Sequence, residues 1–151
     1  FRSCVACSFT EPLILRRSTL PGGLFLMGSE VPGIEGDGLV TTGDVFLRDG
    51  FQATGIVRLL GAQIGGNLEC SKGQFEGKEG YALSTDRAVI KGSVFLRDGF
   101  QATGTVRLLG AQIGGDLTCS KGQFDGKGDD ALCTDGMRVT GCFFSAILQV
   151  R

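Results

Sequence analysis

The chain contains no histidine and no tryptophan. Without histidine, a nucleophilic thiol or hydroxyl lacks its commonest general base, and a metal site lacks its commonest nitrogen ligand. Net charge is almost absent as well: 15 Lys and Arg stand against 16 Asp and Glu, a formal charge of −1. A nucleic-acid partner calls for a basic stripe, which this balance does not supply. Long apolar runs are also missing. Stretches such as Leu24–Met27 are far too short to span a bilayer, so no membrane span is expected in this chain. No secretory signal is visible, and Phe1 opens inside an ongoing pattern, as a fragment or a processed product would.

What the sequence has instead is glycine, 26 residues of it, and repetition. "VFLRDGFQATG" occurs at Val45–Gly55 and again, unchanged, at Val94–Gly104. The alignment runs without a gap over Val45–Lys78 and Val94–Lys127, an offset of 49 residues. A period of that size marks a repeat architecture. A shorter unit lies inside it. Glycine followed by x-apolar-x-x starts at Gly43, Gly66, Gly92, Gly115 and Gly141, in steps of 23, 26, 23 and 26 residues. Each 49-residue repeat therefore reads as two turns.

Within a turn, apolar residues pair across a single intervening residue: Val45/Leu47, Phe51/Ala53, Val57/Leu59 and Ala62/Ile64. The following turn gives Leu68/Cys70, Gly73/Phe75, a looser step around Leu83, and Ala88/Ile90. Period two marks very short strands with their ends pointing inward, and glycine near the corners lets the chain turn. Helical periodicity is interrupted by glycine in nearly every window. The N-terminal part fits the same frame through Leu13/Leu15, Ser18/Leu20, Leu24/Leu26 and Ser29/Val31. The chain thus reads as all-β, a single four-sided, right-handed parallel β-helix over residues 1–151 with about six turns. At about 4.8 Å per turn the rod stands about 30 Å tall.

The phase gives the copied segment a packing task. Inward pairs on the second face run Phe51/Ala53, Gly73/Phe75, Phe100/Ala102 and Gly122/Phe124. Large and small exchange places from one turn to the next, which is the interlocking a dense core requires. Gln52, Gln74, Gln101 and Gln123 lie between those pairs and are expected outside, as a ladder of bonded amides.

"GFQATGTVRLLGAQIGGDLTCSKGQF" (Gly99–Phe124) resembles bacterial tandem-repeat proteins of uncharacterised function. Its Ala-x-Ile and Leu-x-Cys steps resemble the pentapeptide-repeat fold, a four-sided right-handed β-helix. The resemblance covers roughly Glu11 to Phe144, with extra residues that widen the corners. It implies architecture and carries over no catalytic residue and no cofactor.

The candidate chemistry is thin. Six cysteines are present: Cys4, Cys7, Cys70, Cys119, Cys133 and Cys142. Most follow the repeat, which favours free thiols and a reducing, cytoplasmic setting. Cys4-x-x-Cys7 is half a metal or redox site, but two ligands are lacking and Cys7 falls in the inward Phe51 slot. Cys70 and Cys119 replace Leu47 and Leu96 and read as small buried hydrophobes. Arg48–Asp49 and Arg97–Asp98 recur at a corner and raise the option of a small carbohydrate-active enzyme. Such an enzyme needs a groove between large loops, and only "EGKEGYALSTD" and "DGKGDDALCTD" are long here. Asp129, Asp130 and Asp135 read as a solvated turn rather than a catalytic pair. Arg58 and Arg107 point outward with Ala82 between them, which breaks any basic stripe. No catalytic, cofactor or metal site is expected.

The feature nearest to function lies on the first face. Its outward residues are Phe25, Phe46, Glu69, Phe95, Thr118 and Phe144. Phe25, Phe46, Phe95 and Phe144 form the expected interface, for a second copy or for another protein. The plainer alternative is that the tail "SAILQVR" covers the column, or that phenylalanine merely suits strands. Two other functions compete. A pentapeptide-like DNA mimic acting on a topoisomerase needs an acidic surface, and a glycan-cleaving enzyme needs paired acids in successive turns.

Overall fold

The computed structural model describes residues 2–144 and 149–150. These residues form short strands and turns with no helix, and every strand pairing is parallel. Most strands are two residues long because one inward and one outward residue is all that a short side of a coil can hold. The result is an all-β parallel solenoid of about six turns. No helix among the described residues is long and apolar enough to cross a membrane.

Three sheets run along the stack. One is a seven-stranded ladder through Ser3, Phe25, Phe46, Glu69, Phe95, Thr118 and Phe144. A six-stranded ladder passes through Leu20, Thr41, Ile64, Ile90, Ile113 and Val139. The third, of ten strands with seven on its main path, carries two ladders. They run Glu30, Gln52, Gln74, Gln101, Gln123, Gln149, and Ile14, Glu35, Arg58, Ser84, Arg107, Cys133. They merge because Gln74–Ser84 and Gln101–Arg107 continue through the corner as unbroken strands. "EGKEGYALSTD" was expected to be a loop. Instead its surplus residues are absorbed as register shifts between Glu76, Tyr81 and Leu83, against Thr103, Thr105 and Val106.

The core follows the inward triplets. Val45, Leu47, Phe51, Val57, Leu59 and Ala62 are all fully buried, as are their counterparts in the next two turns, whereas Leu132 and Met137 in the last turn are only partly buried. Phe51, Phe75, Phe100 and Phe124 stack along the axis with centroids 5.3, 5.2 and 5.2 Å apart. A Cβ added at Gly73 would come within 2.8 Å of the Phe75 ring, and one at Gly122 within 2.8 Å of the Phe124 ring. Each ring therefore occupies the space that Phe51 or Phe100 fills in the alternate turn. Exchange of Phe-x-Ala for Gly-x-Phe keeps the ring column continuous while the backbone register stays fixed.

A second ladder holds the corner ahead of the Phe25 sheet. Asp44 Oδ1 accepts the Asn67 N–H at 2.7 Å, Asn67 Oδ1 that of Ser93 at 2.8 Å, Ser93 Oγ that of Asp116 at 2.9 Å, and Asp116 Oδ1 that of Cys142 at 2.8 Å. Each side chain satisfies a corner donor of the next turn, as an N-cap does for a helix. Gly66, Gly92 and Gly141 sit against these oxygens, and any Cβ there would collide with them. That is the physical reason for glycine at the start of each turn.

Three expectations need correction. Cys4 and Cys7 are joined by a disulfide rather than free. Backbone register places Cys4 in line with Leu26, Leu47, Cys70, Leu96 and Cys119, and Cys7 in line with Ser29 and Phe51. In this first turn the two inward columns end in cysteines across a tight corner, and their sulfurs meet. The Gln column is in register, but no side-chain hydrogen bond links Gln52, Gln74, Gln101 and Gln123. Gln52, Gln74 and Gln101 are exposed and Gln123 half-buried. The residue between Arg58 and Arg107 is Ser84, not Ala82, which is buried.

Candidate functional site

The outward column of the seven-stranded sheet is built by the period-two rule. Leu24 and Leu26 point inward, so Phe25 points out; Val45/Leu47 do the same for Phe46, and Val94/Leu96 for Phe95. Register puts Phe25 beside Phe46, Glu69 between Phe46 and Phe95, and Thr118 between Phe95 and Phe144. Phe25 and Phe46 meet edge to face, centroids 5.1 Å apart and planes at 71°.

The rings are not bare. Phe25, Phe46 and Phe95 are half-buried, whereas Phe144 is 48% exposed. The cover comes from the same strands. Arg48 lies two residues beyond Phe46, on the same side, with its guanidinium carbon 4.1 Å from the ring centroid. Arg97 repeats this over Phe95 at 4.3 Å. Asp49 and Asp98 hold the arginines from the corner, with Nε to Oδ2 distances of 3.2 and 3.4 Å. The gaps between rings are closed too. Glu69 is only 7% exposed and accepts from the Ser71 N–H at 3.0 Å and from the Ser71 hydroxyl. Thr118 fills the equivalent gap and is buried. Residues 145–148 and 151 of the tail "SAILQVR" lie outside the described residues.

The arginines were the part that sequence reasoning missed. The signal was available: Phe-x-Arg at Phe46 and Phe95 puts aromatic and cation on one side of a strand. Arg48–Asp49 and Arg97–Asp98 read as corner pairs only.

A second surface surrounds Arg58 and Arg107. Arg58 Nη2 reaches Asp37 Oδ2 at 2.7 Å, and Arg107 Nη2 reaches Asp86 Oδ2 at 2.6 Å. Arg107 also lies over the Tyr81 ring at 4.9 Å. A cavity of about 620 Å³ on one side is lined by Tyr81, Arg107, Asp129, Asp130, Cys133 and Asp135, among others. Asp37 and Asp86 are neutralised by guanidinium partners, which suits neither a general acid nor a nucleophile. Among the described residues no group of three His, Cys, Asp or Glu is placed to hold a metal ion.

The buried thiols are unreactive by environment. Burial, and secondarily the Glu69 carboxylate, push the Cys70 thiol well up. Burial pushes that of Cys119 up to about 12. Neither forms thiolate near neutral pH, so neither serves as a nucleophile. No family model, no curated protein and no solved structure matches this chain.

Proposed function

We propose that the chain is a non-enzymatic interaction scaffold that pairs with a second copy through the Phe25–Phe46–Phe95–Phe144 face. The observation that carries this reading is the register of that column, which stacks ring, ring, Glu69, ring, Thr118, ring along one line. Arg48 and Arg97 support it. Aromatic and arginine side chains are the types enriched at protein interfaces. Rings already clamped by arginine lose little further freedom on docking. In this reading the ladders fold as a four-sided, right-handed β-helix of the pentapeptide-like, bacterial tandem-repeat kind. A cytoplasmic setting accords with four free cysteines, one of them the exposed Cys142, and stands against the Cys4–Cys7 disulfide.

The competing functions draw less support. A DNA mimic acting on a topoisomerase needs a markedly acidic surface, and the charge is −1. A carbohydrate-active enzyme needs free carboxylates in adjacent turns, and those of Asp37 and Asp86 are engaged by arginine. The test is replacement of Phe46 and Phe95 together by Glu. We expect a soluble monomer with an unchanged far-ultraviolet β spectrum. A double variant that keeps the wild-type mass contradicts the proposal.

A further inference from the structure

The alternation of turns marks the outside of the Phe face as well as the core. From the strand to the corner, the central turns read Phe46-x-Arg48-Asp49, Glu69-x-Ser71-Lys72, Phe95-x-Arg97-Asp98 and Thr118-x-Ser120-Lys121. Phe46, Glu69, Phe95 and Thr118 are in register. The corner continues that register: the Asp49 N–H donates to the Ser71 carbonyl at 3.0 Å, Lys72 to Arg97 at 3.4 Å and Asp98 to Ser120 at 3.0 Å. Asp49, Lys72, Asp98 and Lys121 therefore form a stripe of alternating charge along one edge of the face. All four are exposed, and all adopt the left-handed region at φ 51–60°. Asp49 and Asp98 bond the arginine of their own turn, whereas Lys72 and Lys121 have no ion pair among the described residues. Further turns flank the stripe on both sides, at Leu24–Phe25 and Phe143–Phe144.

Two identical faces related by a two-fold axis can meet in two ways. With the axis along the stack, the copies run parallel and each turn meets its own copy. Phe46 then faces Phe46, and Asp49 lies toward the partner's Asp44 at the opposite corner. With the axis along the strands, the copies run antiparallel and the stripe meets itself reversed. Centred between the Glu69 and Phe95 turns, this arrangement sets Asp49 against the partner's Lys121 and Lys72 against the partner's Asp98. It also sets Phe46 opposite Thr118, Phe95 opposite Glu69, and each arginine opposite a serine. Displacement by one turn brings Asp49 against Asp98, Arg48 against Arg97 and Lys72 against its own copy.

We propose that the second copy docks on this face antiparallel, in the register set by the Asp49–Lys72–Asp98–Lys121 stripe. The proposal rests on the Phe-face dimer and adds its orientation. Turns that carry ring, arginine and aspartate meet turns that carry serine and lysine, so each copy presents the complement of the other. The rings supply the buried area, and the rim charges exclude the parallel and displaced pairings.

The test is charge reversal along the stripe, with mass followed by light scattering over a dilution series at low salt. Lys72→Asp with Lys121→Asp makes the stripe wholly acidic, and Asp49→Lys with Asp98→Lys makes it wholly basic. We expect each variant alone to associate about 10- to 100-fold more weakly than wild type, as rim attraction turns to repulsion. An equimolar mixture of the two recovers wild-type association as a heterodimer, and the loss in each variant shrinks as salt rises. The milder pair Lys72→Gln and Lys121→Gln weakens association to a smaller degree. All four residues are exposed, so the variants keep the wild-type β spectrum. Undiminished association of the reversed variants, or a mixture that stays dissociated, overturns the antiparallel register and leaves the Phe-face dimer standing. A wild-type chain that is monomeric at every concentration overturns both.

Discussion

Two columns of phenylalanine run along this solenoid, one inside and one outside, and they obey different rules. The inside column places a ring in each of four successive turns, Phe51, Phe75, Phe100 and Phe124, at centroid spacings of 5.2–5.3 Å. It does so even though the ring must change its position in the triplet from turn to turn. The outside column makes no such adjustment. Phe46 and Phe95 are separated by Glu69, and Phe95 and Phe144 by Thr118; Phe25 and Phe46 meet edge to face, and Arg48 and Arg97 cover Phe46 and Phe95. A filled core tolerates no gap, because a vacant slot forfeits dispersion contacts on every side. A surface tolerates gaps freely.

The sharpest way to separate the columns is truncation. Phe75→Ala removes a ring with ring neighbours on both sides and costs about 3–5 kcal/mol, read from the urea midpoint. Phe46→Ala, at the surface, loses an edge contact and an arginine stack and costs about 1 kcal/mol. Equal costs for the two would erase the distinction between the columns.

The thiols draw the same line with smaller effect. Cys142 is exposed and Cys70 and Cys119 are buried, so we expect Cys142 to react rapidly with a disulfide reagent in the native protein and Cys70 and Cys119 to react only after urea is added. Burial also gives Cys119 a sign-definite pH dependence. Its thiol stays protonated in the fold while an unfolded cysteine ionises, so stability falls as pH rises from 9.0 towards about 12. Cys119→Ala makes that alkaline slope shallower. Prompt native labelling of Cys70 or Cys119 would show that the strand phase is misassigned.

The mildest contrast is on the rim. Lys72 adopts φ 60° in the left-handed region, at a corner where Gly28 adopts φ 66° and Lys121 repeats the lysine at φ 60°. Lys72→Gly relieves that conformation and raises stability by up to about 1 kcal/mol, after the added freedom of the unfolded chain is subtracted. A lower thermal midpoint for this variant would mean that the lysine side chain, not the backbone, holds the corner.

The sequence made the inside column legible because period two and the exchange of Phe-x-Ala for Gly-x-Phe are local patterns. The outward positions of Phe25, Phe46, Phe95 and Phe144 follow from the same phase. What escaped were relations between turns. The Arg48–Phe46 stack needs the two side chains on one side and close together, which the corner reading of Arg48–Asp49 obscured. Gly77 and Gly80 in "EGKEGYALSTD" signal a loop locally, yet the neighbouring strand draws that segment into the sheet. Cys4 and Cys7 each follow an inward column, and only the tight first corner shows that two columns ending in sulfur must meet. The corner ladder from Asp44 to Cys142 is written as Gly-Asp, Gly-Asn, Gly-Ser, Gly-Asp, but its bonds join residues 23 to 26 apart.

The claim that the outside column joins two copies is tested most directly by the solution mass of the wild-type chain, measured by light scattering across a range of concentrations. The account predicts a species of twice the 15.8 kDa chain mass that dissociates on dilution. A mass of 15.8 kDa that holds at every concentration would contradict it.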